Sequence, residues 1–143
     1  MKLNYLKFWR VIRYFVKAKY NLTQADLDIL LFLYDEDYFS KDKFKEFDNL
    51  LSWNVTRFDN LLRDKWIEVF RKYDGKNKAL YKLSYKSTRL IVSIYKKLNG
   101  EEIPTSQTSN PLFARNVSYT DKVYRNMIKE MNKFIRQQRH LSQ

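Results

Sequence analysis

Between residues 5 and 16, apolar side chains recur every three or four positions: Tyr5, Phe8, Trp9, Ile12, Phe15 and Val16. That spacing gathers them on one face of an α-helix and leaves Lys7, Arg10, Arg13 and Lys17 on the other. Thr23 then stands as an N-cap, with Asp26 three residues on in the capping-box position. The helix that it opens carries the stripe Leu27, Leu30, Leu31 and Tyr34. Ser40 begins a third helix, whose face is Phe44, Phe47 and Leu50/Leu51. A fourth follows almost at once, capped by Ser52 or Asn54, with Val55, Phe58, Leu61 and Leu62 facing inward.

The period then changes. Ile67 and Val69 alternate with Glu68 and Phe70, the pattern of a strand. Asp74-Gly75 is a hairpin signal, and the run 76–84 returns as the second strand. A two-residue turn there pairs Tyr73 with Lys76 and sets Arg71 opposite Lys78. Residues 85–98 are helical again through Leu90, Ile91, Ile94 and Leu98, with Asn99-Gly100 as the stop. Residues 101–111 hold both prolines and no apolar period, which predicts an extended connector. Ser118 caps the last helix, striped by Tyr119, Val123, Met127, Met131, Phe134 and Ile135. No internal repeat is present.

Two closely spaced helices followed directly by a hairpin describe a winged helix-turn-helix. The expected fold is therefore mainly α, with a two-stranded β wing and flanking N- and C-terminal helices of dimerisation type. The expected organisation is an amphipathic arm over 1–22, a winged-helix core over 23–100, a connector over 101–117 and a C-terminal helix over 118–143.

Composition narrows the chemistry. There is no Cys and a single His, His140, in 143 residues. Thiol nucleophiles, thiolate zinc sites and paired-His catalysis within one chain are excluded. The acidic runs at 35–38 and 100–102 sit at element ends and read as solvated termini. No enzyme, metal or cofactor signature emerges. No apolar run reaches the length of a membrane span, and no secretory leader pattern opens the chain, so a soluble cytoplasmic protein is expected.

The formal charge is +12, from 28 basic and 16 acidic residues. A surface so biased attracts polyanions, with nucleic acid ahead of an anionic membrane. The excess is segregated. Residues 1–22 hold six bases and no acid, 24–48 hold eight acids against three lysines, 71–97 net +8, and 115–139 net +5. Arg71, Lys72, Lys76, Lys78 and Lys82 cluster around the predicted hairpin and are the candidates for contact with a DNA backbone. On the preceding helix, Trp53, Asn54, Thr56, Arg57 and Asn60 are the outward candidates for reading bases, since Asn and Arg can bond bidentately to adenine and guanine edges.

The stretch from Leu22 to Ile91 resembles the MarR-type winged-helix transcription regulators. The resemblance is carried by Thr56-Arg57, Leu61/Leu62, the strand start at Ile67, the charged hairpin 70–82, and Leu83-Ser84 before the next helix. Lys65 or Trp66 stands where that family usually has a glycine, and Ser87 near a second. The resemblance implies a homodimer built by the terminal helices, for which Phe8, Trp9, Ile12, Phe15, Val123, Met127, Met131 and Phe134 are the candidates. It implies sequence-specific binding of double-stranded DNA, with helix 53–65 in the major groove and wing 70–82 on the backbone. The basic faces of the terminal helices would extend that footprint. The competing reading is a structural or packaging protein that uses the fold for non-specific DNA binding or for docking protein. No residue identifies a small-molecule effector site.

Overall fold

Asn4 opens α1 (Tyr5–Tyr20) by accepting the Lys7 amide at 3.1 Å, and Asn21 closes it in the left-handed region at φ 53°. The Thr23 hydroxyl accepts the Asp26 amide while the Asp26 carboxylate accepts the Thr23 amide, so a full capping box starts α2 (Gln24–Leu33). α3 (Lys41–Leu51) begins at Ser40, whose hydroxyl accepts the Lys43 amide. Asn54 caps α4 (Val55–Arg63) through the Arg57 amide at 2.9 Å. β1 (Ile67–Arg71), β2 (Leu80–Leu83), α5 (Tyr85–Leu98), a 3₁₀ turn (Pro111–Phe113) and α6 (Tyr119–Leu141) complete the order. The structure is a computed structural model describing residues 4–51 and 54–141. Ser52, Trp53 and the side chain of Leu50 lie outside the described residues.

The chain divides into two compact units, one formed by 23–92 and the other by 1–22 with 93–143. In the first, Phe58 of α4 is the hub. It meets Phe44 at 5.2 Å, Tyr81 at 5.0 Å and Phe39 at 6.4 Å, all edge to face. Phe39 also bonds its backbone to Tyr81 in both directions, at 2.9 and 2.8 Å, which adds a third rung beside β2. Helix, rung, helix, helix, hairpin is the winged helix-turn-helix order. α2 is the central helix and buries Leu27, Ile29, Leu30 and Leu33. The stripe expected through Leu31 and Tyr34 is thus rotated, with Tyr34 39% exposed. An almost wholly apolar helix offers no polar face to fix its rotation in advance.

The wing corrects the expected register. β1 and β2 pair antiparallel as Ile67 with Leu83, Glu68 with Lys82, Val69 with Tyr81 and Arg71 with Leu80, with a bulge at Phe70. Arg71 does not face Lys78, and Tyr73 does not pair with Lys76. The loop instead runs from 72 to 79. Its tip is an Asx turn in which the Asp74 carboxylate accepts the amides of Lys76 and Asn77 at 3.0 and 2.7 Å, with Gly75 at φ 88°.

In the second unit α1 and α6 run antiparallel. Phe8 meets Phe134 at 5.8 Å, and the Tyr14 and Tyr124 rings stack 3.7 Å apart. The Tyr14 hydroxyl donates to Asp121 at 2.5 Å, and burial together with that bond pushes the phenol up to about 12. α6 buries Ile128, Met131, Asn132 and Ile135, while Tyr119 is 81% exposed and Val123 38%. The stripe read from the sequence therefore lies to one side of the true core face. Asn132, a polar residue, is buried at one edge of that face. It accepts the Ile103 amide and donates to the Ile103 carbonyl, both at 2.9 Å. The expected extended connector is in fact packed. Ile103, Asn110 and Leu112 are buried, and Asn110 donates to the Pro104 carbonyl at 2.8 Å while accepting the Leu112 amide.

Candidate nucleic-acid interface

α4 owes its orientation to Phe58 and Leu61, both buried. At 100° per residue the opposite face carries Thr56, Asn60 and Arg63, the last about 140° round from Phe58. Thr56 and Asn60 are exposed. Arg63, which the candidate set from the sequence omits, completes the face; counting turns from Phe58 rather than from the cap finds it. The flanking acids are engaged. Asp59 pairs with Lys41 at 3.4 Å and Asp64 with the Arg63 guanidinium at 3.3 Å.

Two other candidates on this segment have structural duties. Asn54 spends its side-chain oxygen on the cap. Arg57 turns toward the start of α2, donating to the Thr23 hydroxyl at 3.1 Å and pairing with Asp26 at 3.4 Å. It ties α4 to α2 and is only half-exposed, away from the Thr56–Asn60–Arg63 face. Trp53 lies outside the described residues.

The helix ends in a strained residue. Lys65 sits at φ 65°, in the left-handed region that a glycine enters without cost. Its neighbour Trp66 is buried, donates its amide to the Leu61 carbonyl at 2.9 Å and carries the Lys86 ammonium 3.7 Å from its ring centre. The Trp66 carbonyl accepts both the Ser84 amide at 3.0 Å and the Ser87 hydroxyl at 2.6 Å. These bonds fix where the wing leaves the helix.

Of the five basic candidates on the wing, three are occupied within the chain. Lys78 pairs with Asp42 of α3, and this holds the Asp42 carboxyl below the ordinary carboxylate range. Lys82 pairs across the strands with Glu68 at 3.4 Å, and Arg71 donates to the Lys78 carbonyl at 3.1 Å. Lys72 and Lys76 are exposed and make no ion pair among the described residues. The loop is kept in shape by Asp74, whose three bonds to Asn77 and Lys76 lower its carboxyl to about 2.

The eight dimerisation candidates divide into four core residues, three groove residues and Trp9. Phe8, Ile12, Phe15 and Met131 are buried inside the second unit and serve its core. Val123, Met127 and Phe134 line an apolar groove of about 580 Å³ between α1 and α6, with Phe8, Val11 and Met131 at its base. Trp9 is half-buried and lies off the groove, with Arg13 5.7 Å from its ring centre. Among the described residues no helix is long and apolar enough to cross a membrane, and no group of three or more His, Cys, Asp or Glu is placed to hold a metal ion.

No protein-family model matches the chain, and no curated protein does. Among solved structures the chain is similar to a mutant MarR from E. coli crystallised in complex with operator DNA. The identity is 14%, the match covers 87% of this chain and 84% of that one, and the TM-score is 0.46.

Proposed function

We propose that the chain binds double-stranded DNA through its winged-helix unit and acts as a sequence-specific transcription regulator of MarR-like type. The observation that carries this reading is the bare polar face of α4. Thr56, Asn60 and Arg63, the last beside Asp64, stand opposite a fully buried hub, on a helix that leads through β1 to an exposed basic loop. In this reading α4 enters the major groove, where Asn60 and Arg63 have the chemistry for adenine and guanine edges. Lys72 and Lys76 grip the flanking phosphates, with Lys78, Lys82 and Arg71 contributing only after leaving their present partners. Arg57 and Asn54 position the helix. A second copy seated on the groove lined by Val123, Met127 and Phe134 would give a two-fold dimer and a pseudo-palindromic target.

One observation favours a second reading. Residues 23–92 hold thirteen bases and twelve acids, while the rest of the chain holds fifteen and four. A protein that packages DNA without reading it needs bulk charge and little more, and the bulk charge lies outside the winged helix.

Titrations of random and selected duplexes across a salt series separate the two. A regulator keeps a selectivity of about a thousandfold or more as salt rises. Equal affinity for every duplex would sink the regulator and leave the packaging protein. Absence of duplex binding at low salt would sink both.

A further inference from the structure

α6 carries a second charged feature, separate from the groove and from the winged helix. Lys122, Arg125, Lys129, Lys133 and Arg136 recur at intervals of three and four, which confines them to about 80° of the helix surface. Its midline lies about 130° round from that of Ile128, Met131 and Ile135, with buried Asn132 beside Arg125. It runs for about 21 Å along the axis. Lys122, Lys129, Lys133 and Arg136 are exposed and Arg125 is half-exposed.

Four of the five charges on this face are unspent. Glu102 takes Arg136 at 3.4 Å and Arg139 at 3.2 Å, and Asp121 is held by Tyr14. Lys122, Arg125, Lys129 and Lys133 make no ion pair among the described residues. Lys129 is exposed, with its ammonium 5.9 Å from the centre of the Phe113 ring. Four like charges within three turns of one helix repel one another and cost stability, unless an anionic partner lies along them.

From this we infer that the outer face of α6 is a binding surface for the phosphate backbone of a nucleic-acid duplex. Over 21 Å a duplex presents about twelve phosphates, so each free cation has one within reach. A membrane is the poorer fit. Asn126 and Gln137 border the cations on one side and His140 continues their line; Tyr119, 81% exposed, is the aromatic beside them, at the first turn of α6. An amphipathic helix that lies in a bilayer inserts its apolar side, and the apolar side of α6 is turned inward or lines the groove. The inference does not depend on the winged helix touching DNA.

The test uses the full chain, a random-sequence duplex and the slope of log affinity against log salt. Lys122→Gln/Lys129→Gln/Lys133→Gln should flatten that slope by about 2.7, or 0.9 for each phosphate released. A control variant, Lys19→Gln/Lys96→Gln/Arg115→Gln, removes equal charge elsewhere in the same unit and should leave the slope nearly intact. Equal flattening by both would mean diffuse charge, and an unchanged slope in the α6 variant would mean no contact; either overturns the inference. So does loss of binding to phosphatidylserine vesicles with duplex binding untouched. Helical circular dichroism of both variants guards against misfolding. Lys72→Ala/Lys76→Ala tests the wing separately. A slope flattened only by that pair refutes the α6 surface and leaves the winged-helix reading standing, while the converse does the opposite.

Discussion

Lys65 and Asp74 show how single residues set the wing. At φ 65° the Lys65 backbone is strained by its Cβ, so Lys65→Gly should raise stability by about 0.5–1 kcal/mol despite glycine's larger unfolded entropy. Asn21, at φ 53°, tolerates that region through its short amide, and Asn21→Gly should gain far less. Urea unfolding of the two variants checks the contrast. Asp74 gives a pH signature. Its folded pKa is depressed to about 2, so the turn it stabilises is fully held above the unfolded carboxylate range and lost as pH falls through 2. The Lys76 and Asn77 amides, followed by NMR, should stay in their bonded positions at pH 4 and leave them only near pH 2. Lys65 was legible only as one of two positions where the resembled family has a glycine, and Asp74 only as the start of a turn. Asp74-Gly75 is a turn signal, but a two-residue turn and an eight-residue loop begin with the same letters. The difference lies in the bulge at Phe70, which no spacing rule encodes.

At the scale of elements, the helices were legible because caps and periods agree. Thr23 with Asp26, Ser40, Asn54 and Ser118 all cap as their types suggest. Which face of each helix turns inward was less legible. α2 is apolar nearly all round, and α6 has an apolar stripe that is shared between core and groove. Asn132 is the clearest case. A polar residue reads as surface, yet its side chain replaces the missing sheet or helix partner for Ile103 and is 3% exposed. Asn132→Ala would leave an amide and a carbonyl buried without partners, and should cost about 2–5 kcal/mol. Guanidinium unfolding measures it; a change within error would mean that 101–110 is not held by α6. The base-reading face of α4 was half legible. Thr56 and Asn60 stand where the helical period puts them, but Arg57 is taken by Asp26 across a gap of 31 residues, and only the fold brings those two together.

For the whole molecule, the division of charge matters more than its sum. Of the +12, residues 23–92 carry +1, and the unit of the terminal helices carries +11. Composition pointed to nucleic acid, and the segment counts pointed to the hairpin. Once the fold is known, part of that hairpin charge is met by Asp42 of α3 and Glu68 of β1. A unit with fifteen bases and four acids is destabilised by its own field, which salt screens over roughly 30 Å at 0.01 M and 10 Å at 0.1 M. The melting temperature should therefore rise with sodium chloride across that range. A chain held chiefly by its surface ion pairs would show the reverse in a calorimetric scan.

The pair between Lys78 and Asp42 has a consequence for the thermodynamics of association. A free lysine that meets a phosphate expels a condensed cation from the duplex and gains the entropy of that release. Lys78 would also have to abandon a carboxylate, which must then recruit a cation from solution or a proton. The two exchanges nearly cancel in sodium, and as the pH falls toward the pKa of a free aspartate the carboxylate takes up a proton instead. A duplex that recruits Lys78 should thus bind more tightly as the solution is acidified toward the range of a free aspartate. That gain should vanish in Asp42→Asn, where the released cation is no longer offset and the salt slope should steepen by up to about 0.9. Proton uptake measured by calorimetry in buffers of different ionisation enthalpy would record it directly, and its absence would mean that Lys78 remains a strut between wing and α3.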